Sequence, residues 1–156
     1  MTSARLSYEF SGPPGAPILL LAGSLGTTMA MWDPQLAALA ARFRVPRVDP
    51  RGHGRSAVPP GPYTIDEIGG DLLALLDALA IVSVSYCGLS LGGMAGMWLA
   101  AHAPDRIERL ALSCTSAWLR PKAGRTGRRT SGRTSEDHEH AIAEKWPLTW
   151  ANGRRA

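Results

Sequence analysis

The stretch that decides the reading runs from Ala80 to Ala103, A-I-V-S-V-S-Y-C-G-L-S-L-G-G-M-A-G-M-W-L-A-A-H-A. Ile81 to Cys87 has the β-branched, apolar character of a buried strand, and Leu91 onward has that of a packed helix. Between them lies Gly88-Leu89-Ser90-Leu91-Gly92, a G-x-S-x-G pattern. In that strand–turn–helix context the pattern predicts a strained bend that holds a serine hydroxyl out toward solvent. A side chain at Gly88 or Gly92 would collide across so tight a turn, and Gly93 lets the helix approach the sheet. The helix start also offers unspent N–H groups and the positive end of the helix dipole, suited to a developing oxyanion. Ser90 is therefore the candidate nucleophile.

Upstream of the bend, strands and helices alternate. Ile18 to Ala22 is an unbroken apolar run, as expected of a parallel strand covered on both faces. It ends in Gly23-Ser24-Leu25-Gly26-Thr27, a loop able to turn backbone N–H groups toward a ligand. Asp33-Pro34 predicts a helix cap followed by Pro at the first helical position, and Leu36, Leu39, Ala40 and Phe43 give that helix its apolar side. Arg44 to Asp49 predicts a strand, with Pro46 against it. Thr64-Ile65-Asp66-Glu67 is a capping box, and Ile65, Ile68, Leu72, Leu75, Leu76 and Leu79 form the stripe of the helix behind it. Ile107 to Cys114 predicts the next strand, and Leu6 to Phe10 an edge strand ahead of the series. The alternation implies a mostly parallel, helix-covered sheet. Catalytic groups should gather at the carboxyl ends of its strands, where the loop after Ala22 and the bend after Cys87 both lie.

His53, in Arg51-Gly52-His53-Gly54-Arg55-Ser56, reads as a residue that fixes its loop. A base would need contact with Ser90, which sequence does not show.

The chain has 156 residues, 45% of them hydrophobic, enough for one globular core. Its net charge of +4 divides unevenly. Residues 1–119 hold 8 Lys+Arg and 9 Asp+Glu, or −1; residues 120–156 hold 9 and 4, or +5; the sum is +4. The division sets the expected domain boundary: 1–119 as the N-terminal part of a folded domain, and 120–156 as a basic tail too poor in apolar residues to fold alone. The Arg/Gly run over residues 120–140 has no aromatic residues interleaved for base stacking, so no nucleic-acid partner is expected. Cys87 and Cys114 read as small buried hydrophobes of a reducing compartment. There is no metal-ligand spacing. The opening residues lack the apolar core of a signal peptide, and no run is long enough to span a membrane. A cytoplasmic protein follows as the expectation.

With these residues in place the chain resembles the α/β-hydrolases, and more narrowly the 3-oxoadipate enol-lactonases of aromatic-compound degradation. The resembling stretches are L-A-G-S-L-G-T-T-M-A-M-W-D-P-Q-L, D-P-R-G-H-G-R-S-A-V-P-P-G-P-Y-T-I-D-E-I-G-G-D and Y-C-G-L-S-L-G-G-M-A-G-M-W-L-A-A-H-A-P-D-R-I. The resemblance implies that Ser90 attacks a lactone carbonyl and that the N–H groups of Leu91 and Ser24 (or Leu25) form the oxyanion hole. It also implies that no cofactor or metal is needed, and that the partner is a small lactone or ester. In that family the triad acid and histidine follow the serine in chain order. Residues 120–156 match neither motif, so neither is assigned.

Sequence thus predicts the N-terminal half of an α/β-hydrolase fold. The remainder reads either as an unusual tail or as a truncated or out-of-frame product. An incomplete sheet would leave an open edge available for self-association. The alternative functions are a catalytically incomplete fragment, and an esterase or haloperoxidase-like hydrolase of other substrate.

Overall fold

The computed structural model describes residues 3–117. The tail from residue 120, including His138, His140, Trp146 and Trp150, lies outside the described residues.

Five strands form one sheet: β1 (Ser7–Ser11), β2 (Leu19–Ala22), β3 (Val45–Asp49), β4 (Val84–Leu89) and β5 (Ile107–Ser113). Their order is β1-β3-β2-β4-β5. β1 runs antiparallel to β3, and the other pairs are parallel. The connections carry α1 (Asp33–Ala40), α2 (Ile65–Ala78) and α3 (Leu91–His102). This is the alternation expected from sequence.

Leu20 and Leu21 explain the unbroken apolar run of β2. Leu20 points into the larger core with Val48, Leu72, Val84, Tyr86 and Leu99, whereas Leu21 joins Trp32 and Val45 in a second core. Successive strand residues face opposite sides, so a strand covered on both faces must be apolar throughout. Helix α2 begins as its sequence requires. The Glu67 N–H donates to the Thr64 hydroxyl at 3.3 Å, and the Thr64 N–H donates to the Glu67 carboxylate at 2.8 Å. Ile65, Ile68, Leu72, Leu75 and Leu76 of its stripe are buried.

Several boundaries differ from expectation. β4 starts at Val84, not Ile81. Ile81 instead donates its N–H to the Leu76 carbonyl, and the Arg106 guanidinium takes the carbonyls of Ile81 and Val82. These bonds hold the segment to the end of α2, and Val82 is 80% exposed. Asp33 is the first residue of α1 rather than its cap, which is Trp32. The Asp33 carboxylate accepts from Arg47 instead. Pro46 sits in a fully buried strand between two others. Toward β2 the pairing breaks between the Ile18–Arg44 bridge and the Leu21–Arg47 pair, and Pro46 with its missing N–H falls in that gap. Cys87 is half-buried in β4, where burial pushes its thiol up from the ordinary range. Cys114, expected in a buried strand, lies just past β5 and is exposed.

Candidate active site

The bend forms where the sequence places it. Ser90 follows β4 directly and precedes α3, with φ 53° and ψ −111°. A non-glycine residue pays for such a backbone conformation in strain and keeps it only when its surroundings hold it. The holders are visible. The Ser90 N–H donates to the Ser113 carbonyl at 2.9 Å, and the Ser90 carbonyl accepts from the Thr115 hydroxyl at 2.8 Å and from the Met94 N–H at 3.0 Å. The tip of β5 therefore grips both polar groups of the Ser90 backbone. Ser90 itself is half-buried, so the residue is not sealed in the core.

Close packing explains the glycines. A Cβ on Gly92 would land on the Ala22 carbonyl oxygen, and one on Gly88 would land on the Gly92 carbonyl oxygen. The Gly92 N–H donates to the Gly23 carbonyl at 2.9 Å, which seats the head of α3 against the end of β2. The buried Tyr86 hydroxyl donates to the Gly92 carbonyl at 2.7 Å and ties the middle of β4 to the same turn. Burial raises the Tyr86 phenol far above its ordinary range, so it remains a donor.

The second loop comes from the carboxyl end of β2. The Ser24 N–H points at the Met31 thioether sulfur, 3.4 Å away, and the Gly26 N–H at His53 Nε2, 3.0 Å away. Between them, the Leu25 N–H has no acceptor among the described residues. Ser24 and Leu25 both sit beside the bend through the Gly23–Gly92 contact, but it is the Leu25 amide that remains unspent.

His53 does not approach Ser90 as a base would. Its Nδ1 lies 3.0 Å from the Arg51 carbonyl oxygen, so both ring nitrogens are occupied. His102 lies at the end of α3, with Nδ1 on the Trp98 carbonyl and its ring stacked on Trp98. Among the described residues no histidine is placed to take the Ser90 proton, and no group of three or more His, Cys, Asp or Glu could hold a metal.

Behind the loops, Arg51 is buried. It pairs with Asp71 at 2.6 Å and with Glu67 at 2.9 Å. Hydrogen bonding to Asp71 outweighs the burial that would lower it, and the Arg51 guanidinium is held above its ordinary range. Burial pushes the Glu67 carboxyl up, but the Thr64 hydrogen bonds and the Arg51 charge more than reverse this, and the net shift is downward. A cleft of about 320 Å³ opens elsewhere, beside Glu9, Asp33, Arg47 and Arg55. Its two arginines are already paired with Glu9 and Asp33, and it includes none of the residues around the bend.

Comparison with known proteins agrees with this geometry. A family model described as the alpha/beta hydrolase fold matches residues 16–146. The chain belongs to the α/β-hydrolase fold family. It is 43% identical over 112 residues to 3-oxoadipate enol-lactonase 2 of Acinetobacter baylyi, covering 72% of this chain and 42% of that one. It is 40% identical over 120 residues to a putative carbamate hydrolase RutD of Caulobacter segnis, covering 74% and 44%. Among solved structures, a hydrolase from Pseudomonas aeruginosa superposes with a TM-score of 0.74 at 58% identity, covering 76% of this chain and 44% of that one. The enol-lactonase from Burkholderia xenovorans superposes with a TM-score of 0.72 at 50% identity, covering 74% and 45%. The chain thus spans less than half the length of the relatives it matches.

The sequence pointed to Ser90, Leu91 and the loop holding Ser24. It missed Thr115 and Ser113, which brace the bend. No local sequence pattern marks either of them, because both reach Ser90 across more than twenty residues of chain.

Proposed function

We propose that this α/β-hydrolase chain carries the nucleophile and oxyanion hole of a serine hydrolase that opens a small carboxylated enol-lactone. The observation that carries the reading is the Ser90 backbone, bent at the junction of β4 and α3 and fixed there by Ser113 and Thr115. Ser90 Oγ attacks the lactone carbonyl carbon and gives its proton to water, which returns a proton to the enolate formed when the ring opens. The carbonyl electrons move onto oxygen, where the Leu91 N–H at the head of α3 receives them. The second donor is the Leu25 N–H rather than that of Ser24, whose N–H faces Met31. Collapse of this intermediate breaks the ring C–O bond and leaves an acyl-enzyme with the ring-opened enolate. Water then cleaves the ester and regenerates Ser90. With an enol-lactone of 3-oxoadipate the product is 3-oxoadipate.

The substrate class is supported by the likeness to the Acinetobacter and Burkholderia enol-lactonases. Likeness to the putative carbamate hydrolases favours a second reading, in which the same serine attacks a carbamate carbonyl. Two free cysteines fit a reducing compartment such as the cytoplasm.

No base stands beside Ser90 among the described residues, so the rate should be low. An enzyme lacking a triad member typically keeps an acceleration of about 10³–10⁴ over water. Loss of enol-lactone ultraviolet absorbance, followed with wild type and Ser90→Ala, tests the proposal. A faster loss with wild type supports it, and equal rates refute it.

We also infer that the chain self-associates along β5. Its burial pattern is the most open of the parallel strands, Leu112 is 39% exposed, and its outer edge has no partner among the described residues. Such an edge is a template for strand addition. A light-scattering mass that stays monomeric at every concentration would remove this inference.

A further inference from the structure

His53 joins two loops that are far apart in sequence. Its Nδ1 lies 3.0 Å from the Arg51 carbonyl oxygen and its Nε2 lies 3.0 Å from the Gly26 nitrogen. A carbonyl oxygen only accepts and a backbone N–H only donates. One arrangement alone satisfies both: a neutral ring with its proton on Nδ1 and its lone pair on Nε2. The opposite tautomer would set two lone pairs against each other at Arg51 and two hydrogens against each other at Gly26.

The Arg51 end of this bridge is rigid. The Arg51 side chain is 5% exposed and that of Asp71, its partner on α2, is 1% exposed. The Gly26 end is the turn that holds Ser24 and Leu25. Gly26 adopts φ +73°, and the turn is closed by the Thr27 N–H on the Ser24 carbonyl at 3.3 Å. The Ser24 carbonyl, which accepts from the Thr27 N–H at 3.3 Å and the Thr27 hydroxyl at 2.8 Å, fixes the peptide plane that carries the Leu25 N–H, and the Gly26 N–H on His53 fixes the plane on the other side of Leu25.

The geometry points to His53 as a positioning residue that aims the Leu25 N–H. Through Arg51, the ion pair on α2 becomes the anchor of the oxyanion loop. The aiming role rests on the reading that Leu25 supplies the second oxyanion donor; the latch between His53 and Gly26 stands without it.

Two measurements on the full chain separate these claims. The first reads the latch by nitrogen NMR of the His53 ring and by amide hydrogen exchange. The ring should carry its proton on Nδ1. His53→Leu should speed exchange at Gly26 by about 3- to 10-fold, the range expected for one lost hydrogen bond. His53→Gln, which keeps an acceptor on the side chain, should recover part of the loss, and the amides of Leu72 and Tyr86 should not change. A proton on Nε2, unchanged exchange at Gly26, or equal acceleration at all amides would overturn the latch.

The second measurement reads the aim through affinity for phenylboronic acid, which forms an anionic tetrahedral adduct with a serine. Ser90→Ala should abolish binding, His53→Leu should weaken it by about the same 3- to 10-fold, and His53→Gln should recover part of it. Binding by Ser90→Ala equal to wild type would refute the serine reading and leave the latch to the exchange result. Binding lost in Ser90→Ala but unchanged in His53→Leu would refute the aiming role alone.

Discussion

The Thr115 hydroxyl donates to the Ser90 carbonyl oxygen at 2.8 Å, across 25 residues of chain. The same threonine packs over Gly93, where a Cβ would meet its side chain. Removing this hydroxyl should loosen the bend without opening a cavity. Thr115→Val, nearly the same shape, should therefore lower stability by about 0.5–1.5 kcal/mol, the net value of one such bond. Thr115→Ser should keep most of it. Urea unfolding midpoints of the three proteins check this, and a Val variant as stable as wild type would show that the hydroxyl contributes nothing.

Strain at the bend has the opposite sign. Ser90, at φ 53° and ψ −111°, occupies a backbone region that a side chain disfavours. Such residues cost about 1–3 kcal/mol, and glycine gives back about 0.5–1 kcal/mol through the flexibility of its unfolded chain. Ser90→Gly should come out more stable than wild type by about 1 kcal/mol, whereas Ser90→Ala, which keeps the Cβ, should not. Thermal unfolding of both variants distinguishes them. Equal melting temperatures would mean that the bend is unstrained.

The Arg51–Asp71 pair is buried on both sides, and Asp71 also accepts the Ala4 N–H at 2.7 Å. Replacing Asp71 by Ala leaves the buried guanidinium with only its Glu67 contact and takes the acceptor from the Ala4 N–H. The loss should be about 3–5 kcal/mol, the usual cost of breaking a buried pair by removing one member. Arg51→Met combined with Asp71→Leu should cost less than Asp71→Ala alone. Urea unfolding of the two variants decides, and the reverse order would show that the pair is not the anchor described here.

Acid sensitivity follows from Glu67, whose carboxyl is held below its ordinary value. A lowered folded-state value means that the unfolded chain takes up the proton first. The stabilisation is complete above the ordinary glutamate range, near about pH 4.3, and is lost as pH falls through the lower folded value. Glu67→Gln should flatten that part of the stability curve. Urea midpoints taken across this acid range test it, and parallel curves for the two proteins would exclude Glu67 as a contributor.

What could be read from sequence was whatever a local pattern encodes. The capping box at Thr64 and Glu67 is two residues three apart, and the stripe behind it repeats once per turn. Gly88 and Gly92 are read from the steric need of a tight turn. The start of β4 was misread because Ile81, Val82 and Ser83 have strand character. Ile81 and Val82 bond instead to the end of α2 and the Arg106 side chain, and Ser83 to the Glu108 carboxylate, which no period announces. Which N–H of the loop after β2 is left without an acceptor is hidden for a related reason: the partners of Ser24 and Gly26, Met31 and His53, are brought near through space.

Both braces of the bend arrive late in the chain. A nascent polypeptide that has emerged only as far as His102 already owns β4 and α3, yet neither Ser113 nor Thr115 has left the ribosome to seize the serine between them. The bend is accordingly among the last parts of this sheet to set, and during synthesis the Ser90 backbone stays without these two braces until the fifth strand is laid alongside.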